Sequence, residues 1–148
     1  MKYILLLTML LTFDVSAQSD LSFLKKDNPD ELAYWAWASP ECPISREDVK
    51  AIVTGVLIRS RIKPAESSWV RDPIYLNVSV LCAKVEGNNP VFNASINFGR
   101  ATPYPSVIFD SIGHQQLGIG DVSFIKATIK NGVEKAVTDY IKFNFIDK

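Results

Sequence analysis

The first seventeen residues constrain this chain more than any other stretch. Lys2 precedes a charge-free, mostly apolar run from Tyr3 to Phe13, which ends in Asp14 and the small-residue triplet Val15-Ser16-Ala17. A positive residue, a short apolar centre and a small-residue end make a secretory signal peptide, with cleavage expected after Ala17. Two consequences follow for folding. The apolar run is removed instead of being buried in a core, and the only two cysteines, Cys42 and Cys82, meet an oxidising compartment in which they are expected to pair. The expected location is the bacterial periplasm or the extracellular space. Gln18 follows the cleavage site, where a bacterial lipid anchor requires a cysteine.

About 130 residues remain after cleavage, enough for one domain that buries about two-thirds of its unfolded surface. The formal net charge is zero over the whole chain and stays zero when Lys2 and Asp14 leave together. Balanced charge supplies no long-range field toward nucleic acid or an anionic membrane, so neither is an expected partner. No second apolar stretch is long enough for a membrane span. Asn77-Val78-Ser79 and Asn93-Ala94-Ser95 both satisfy the glycosylation acceptor pattern, a tripeptide that also recurs by chance.

Residues 18–32 are polar, with Asn28-Pro29-Asp30 as a turn signal, and read as a flexible N-terminal arm before a single domain over 33–148. In Ala33-Tyr34-Trp35-Ala36-Trp37-Ala38 the alternation suits a short strand with Trp35 and Trp37 on one face, where they are expected to fill the core. Ser45 with Asp48 three residues on is a shortened capping box. Val49, Ile52, Val53, Val56 and Leu57 then recur at helical spacing until Pro64. Residues 65–73 read as a connection. Ile74, Leu76, Val78, Val80 and Cys82 alternate with Tyr75, Asn77, Ser79 and Leu81, and Phe92, Ala94, Ile96 and Phe98 alternate with Asn93, Ser95 and Asn97. With a Gly-Asn-Asn-Pro turn between them, these form an antiparallel hairpin with one apolar and one largely polar face. A third strand is expected over 106–112. A final helix follows from Val122, with Ile125, Ile129, Val133, Ala136, Val137, Tyr140 and Ile141 on one stripe and Asp121 or Ser123 as its cap.

The expected fold is therefore α+β, a two-layer sandwich in β-α-β-β-β-α order. An antiparallel sheet of three to four strands carries both helices on its apolar face. A Cys42–Cys82 disulfide would staple the start of the first helix to that sheet and contribute about 4 kcal/mol on the chain-entropy model.

No motif assigns a chemistry. His114 is the only histidine, and a hydrolase built on it with Ser106 or Ser111 as nucleophile and Asp110 as orienting acid draws its members from one short segment. One histidine and two paired cysteines leave only carboxylates for a metal, so no metal site or cofactor is expected. Gly113, Gly118 and Gly120 precede a helix but lack the Lys-Ser/Thr ending of a phosphate loop, and read as a turn. What remains is surface. Trp69 beside Arg71 lies in a polar connection, and Asn77, Asn93, Ser95 and Asn97 line the polar sheet face. These six residues suggest a surface that docks another protein, as an envelope accessory subunit or an inhibitor of a toxin or hydrolase does. The alternative reading is a small-ligand carrier, with a cavity lined by Phe92, Phe98, Val133 and Tyr140.

Overall fold

The computed structural model describes residues 24–66, 74–84, 89–101 and 107–146, with the backbone alone at 66 and over 107–112. The signal peptide, the start of the arm, Trp69, Arg71 and Ser106, and the side chains of Asp110 and Ser111, lie outside the described residues. The elements run β1 (Glu31–Ala38), α1 (Arg46–Arg59), β2 (Lys63–Glu66), β3 (Ile74–Ala83), β4 (Val91–Ala101), β5 (Val107–Ile119), α2 (Val122–Ile141) and a short π-helical extension (Lys142–Ile146).

The five strands form one sheet in the order β2-β1-β3-β4-β5. This corrects the expected antiparallel sheet of three to four strands. The sheet is mixed, because β1 runs parallel to both β2 and β3 while β3, β4 and β5 are antiparallel. The physical reason is the helix between β1 and β2. A strand followed by a helix returns naturally as a parallel neighbour, which adds β2 at the edge and leaves β1 inside the sheet. The α+β class and the two helices hold.

Alternation decides which residues are buried. Leu32, Tyr34 and Ala36 of β1, Ile74, Leu76, Val78 and Val80 of β3, and Phe92, Ala94, Ile96 and Phe98 of β4 join Val49, Val53, Val56 and Leu57 of α1 and Ile125, Ile129, Val133, Ala136, Val137 and Tyr140 of α2 in one core. Both helices thus lie on the same side of the sheet. Where α2 packs on β4, a Cβ on Gly132 would lie 2.7 Å from Ile96 Cδ1, so any larger residue there would force the Ile96 side chain to move.

The helix ends are built as their sequences dictate. Ser45 caps α1, with Asp48 N–H donating to Ser45 Oγ at 3.1 Å and Ser45 N–H to Asp48 Oδ2 at 2.9 Å. At the other end Ile62 N–H reaches the Leu57 carbonyl and Arg61 N–H the Ile58 carbonyl. That is a Schellman motif, with Ile62 and Leu57 both buried. It requires a left-handed residue, and Arg61 takes that role at φ 60° where glycine is the usual choice. Asp121 caps α2 by accepting from Phe124 N–H at 2.8 Å.

Part of the polar N-terminal stretch is held on the domain. Leu24 is buried, Asn144 Nδ2 donates to its carbonyl at 3.0 Å, Lys26 N–H donates to Asn144 Oδ1 at 3.1 Å, and Tyr140 donates its hydroxyl to the Pro29 carbonyl at 2.9 Å. The expected strand over 106–112 extends to Ile119. Gly113 and Gly118 lie within it instead of forming a turn. Their missing side chains make room for the Asn97 amide and the Phe92 ring, respectively.

Candidate functional site

The side of the sheet that carries no helix among the described residues is assembled by strand register. Trp35 of β1 lies beside Asn77 of β3, Asn77 beside Asn97 of β4, and Asn97 beside Gly113 of β5. In the next row Trp37, Ser79, Ser95 and Gln115 are neighbours, and beyond it Leu81, Asn93 and Leu117. Four of the six residues singled out from the sequence, Asn77, Asn93, Ser95 and Asn97, are therefore brought together on one surface. The other two, Trp69 and Arg71, lie outside the described residues.

Within this surface the polar groups are ordered. Asn97 Nδ2 donates to Ser95 Oγ at 2.7 Å, and the Asn97 carboxamide lies over Gly113, in the space a Cβ there would occupy. The tryptophans expected in the core are on this side instead. Leu32, Tyr34 and Ala36 take the core-facing positions of β1, so by alternation Trp35 and Trp37 must take the other. Arg46, at the start of α1, reaches around the sheet edge. Its guanidinium carbon stands 5.2 Å from the Trp35 ring centroid, and its Nε donates to the Ala36 carbonyl at 3.1 Å.

Sequence reasoning missed the apolar end of this surface. Leu81, Leu117 and Ile119 are 53%, 79% and 65% exposed, and Trp37 is 36% exposed. Leu117 and Ile119 escaped notice because the third strand was expected to stop before them. The alternating Gln115, Leu117 and Ile119 were the available signal. The side chains of the three rows carry no formal charge; the charged pair on this side, Glu31 and Lys63, lies at the β2 edge, with Lys63 Nζ 3.2 Å from Glu31 Oε2.

The staple beside this face is present. Cys42 and Cys82 form a disulfide with sulfurs 2.05 Å apart. Ser39 prepares it, since its N–H donates to the Val80 carbonyl at 2.8 Å and its Oγ accepts from Cys82 N–H at 3.1 Å, which carries the β1–β3 ladder up to the cysteines.

His114 faces the helix side. Its Nε2 lies 3.1 Å from Asp139 Oδ2 of α2, in an open groove lined also by Gln116, Asn131, Glu134, Lys135 and Thr138. This carboxylate partner comes from 25 residues away, and the side chain of Asp110 lies outside the described residues. Among the described residues no three metal-ligating side chains cluster, and no helix is long and apolar enough to cross a membrane. The four residues expected around a ligand cavity are core, with Phe98 stacked on Tyr140 at 6.1 Å between ring centroids. Burial, then nearby Asp30, pushes the Tyr140 hydroxyl above its ordinary range. On the outer side of the helices Lys126 donates to Asp48 at 2.7 Å, and that bond, with those from Ser45, holds the Asp48 carboxyl down to about 2.

No protein-family model matches this chain, and no curated protein does. Among solved structures, a PelC dodecamer from Paraburkholderia phytofirmans is similar over 74% of this chain and 87% of its own, with 12% identity and a TM-score of 0.49. A minor lipoprotein from Acinetobacter baumannii is similar over 76% of this chain and 91% of its own, with 8% identity and a TM-score of 0.44. A Xanthomonas campestris protein described as DUF330 is similar over 76% of this chain and 81% of its own, with 8% identity and a TM-score of 0.34.

Proposed function

We propose that this is an exported, non-enzymatic protein-interaction module, an envelope accessory subunit or an inhibitor-type binder, that docks another protein on the helix-free face of its sheet. The carrying observation is the character of that face. Asn77, Ser79, Asn93, Ser95 and Asn97 form a flat, uncharged hydrogen-bonding centre, bordered by Trp35 and Trp37 on one side and by Leu81, Leu117 and Ile119 at one end. Uncharged polar groups are cheap to desolvate when a partner pairs with them, and exposed aromatic and aliphatic side chains at the border supply apolar burial. Trp69 and Arg71 belong to the same reading as contributors from the connection before β3. Export, to the periplasm or beyond the cell, rests on the signal-peptide pattern of residues 1–17 and fits the disulfide.

A carrier function is less well supported, because the residues that would line its cavity pack against one another. The hydrolase reading would take Asp139 as the orienting acid of His114, while Ser106 and the side chains of Asp110 and Ser111 lie outside the described residues.

The test is affinity capture from the native envelope fraction, with the mature protein as bait beside Ser95→Arg and Trp69→Ala variants. A single stoichiometric partner held by the wild type and released by Ser95→Arg is the expected result. A partner that stays bound to Ser95→Arg rules out the sheet face as the docking surface. Loss with Trp69→Ala alone moves the contact to the connection before β3.

A further inference from the structure

The two outer strands of the sheet are unlike each other. The β2 edge is guarded. It is four residues long and contains Lys63, Pro64 and Glu66, and where β2 ends the exposed part of β1 is covered by Arg46, bonded to the Ala36 carbonyl. Short length, charge and proline are the ordinary devices that stop an edge from pairing with another strand. The β5 edge over 113–119 has none of them. The whole strand is 13 residues long, has no proline, lysine or arginine, and carries one carboxylate, Asp110, within the register shift between Phe109 and Gly113. Among the described residues β5 pairs with β4 alone, so its other side presents a row of backbone donors and acceptors. Seven of its residues, Gly113 to Ile119, give about 24 Å of such edge. The same strand carries two of the most exposed apolar side chains among the described residues, Leu117 at 79% and Ile119 at 65%.

From this we infer that the β5 edge is the self-association surface of the protein. Two copies pair β5 to β5 in antiparallel fashion about a two-fold axis, forming one continuous ten-stranded sheet. A second copy is the occupant these observations favour. An antiparallel pair of identical strands is self-complementary under two-fold symmetry. Gly113 to Ile119 contains no Asp, Glu, Lys or Arg, and His114 is bonded to Asp139 of its own copy, so pairing the stretch with itself opposes no like charges. The zero net charge of the chain adds no general repulsion between copies. In such a pair Leu117 and Ile119 gain cross-strand neighbours on the helix-free face. On the other face the axis brings the two α2 helices to the same side of the seam, where the groove beside β5 offers both Glu134 and Lys135.

The experiment combines mass measurement by analytical ultracentrifugation with amide hydrogen exchange, on the mature protein and on a Leu117→Lys/Ile119→Lys variant. Near-UV circular dichroism and melting establish that the variant is folded. The expected result is a dimer for the wild type and a monomer for the folded variant, with amides of 113–119 exchanging at least about tenfold more slowly in the dimer than in the monomer. A wild type that stays monomeric through the micromolar range overturns the inference. So does a dimer whose β5 amides exchange as in the variant, because that dimer joins through another surface. Protection of 113–119 in a monomeric wild type also overturns it, by showing the edge covered from within its own chain. If the lysine variant does not fold, the wild-type comparison between dilute and concentrated solution decides alone. Capture of a foreign protein by the sheet face is read by separate variants and stands or falls independently.

Discussion

Strands β1, β3 and β4 carry two surfaces on one backbone, and successive residues belong to opposite ones. On the helix side Val78 and Ile96 are neighbours across the ladder, closed in by α1 and α2. One residue further on, Ser79 and Ser95 are neighbours on the side without a helix. The first surface is specified by volume, since its side chains fill a fixed space. The second is specified by register, since Asn97 bonds Ser95 along the strand and occupies the place left by Gly113 across it. The comparison teaches that tolerance to change and capacity for contact can be divided between adjacent residues. Even-numbered positions of these strands fill the core, whereas the odd-numbered ones are divided, with Ala33 and Tyr75 buried and Trp37 and Leu81 exposed.

Removing the staple should have the largest effect on the covered side. A Cys42→Ala/Cys82→Ala double variant is expected to lose about 4 kcal/mol in urea unfolding, because the bond closes a sequence separation of 40. The direct comparison of faces comes next. Ile96→Ala should cost about 3 kcal/mol, the transfer of its side chain plus the cavity left under Gly132, while Ser79→Ala should stay within about 0.5 kcal/mol by the same measurement. Comparable losses at the two positions would break the division between faces.

A smaller gain is expected at the end of α1. Arg61→Gly relieves a side chain held at φ 60° and should stabilise the protein by about 0.5–1 kcal/mol in thermal or urea unfolding, partly offset by the greater freedom of glycine in the unfolded chain. The last prediction concerns acid. The Lys126 hydrogen bond, then those from Ser45, hold Asp48 at about 2, below its unfolded value, so as pH falls the unfolded chain takes up the proton first. The contribution of Asp48 is therefore present above about pH 4 and lost as pH falls toward about 2. Stability measured across that window should fall less steeply in Asp48→Asn than in the wild type. An identical acid limb would show that the Asp48–Lys126 bond between the helices carries no stability.

Where a structural cause lay within a few residues, the sequence was a sufficient guide. The Ser45 box, the Asp121 cap, the stripes of both helices and the parity of Asn77, Asn93, Ser95 and Asn97 are all local patterns. Cys42 and Cys82 were legible because there were only two. What escaped depends on distant partners. Lys63–Glu66 contains proline and two charges and is a strand only because β1 lies beside it. The tryptophans were expected inside on size alone, yet the choice of face belonged to Leu32, Tyr34 and Ala36. Leu24 was one of four large apolar residues in a polar stretch, with Leu21, Phe23 and Leu32, and its carbonyl is held by Asn144 at the far end of the chain. Gly113 looked like punctuation, whereas its role is set by Asn97 on the neighbouring strand.

The position of β1 has a consequence for the order in which the molecule can be assembled. Among the described residues it is the first strand along the chain and yet it lies inside the sheet, between β2 and β3. Until residue 80 has been made, its pairing with β3 from Ala33 to Ala38 cannot be completed. Ser39 reaches the Val80 carbonyl and the Cys82 amide only when that pairing is in place. The covalent bond thus joins two segments that the ladder and the Ser39 hydrogen bonds also hold together, so each reinforces the other.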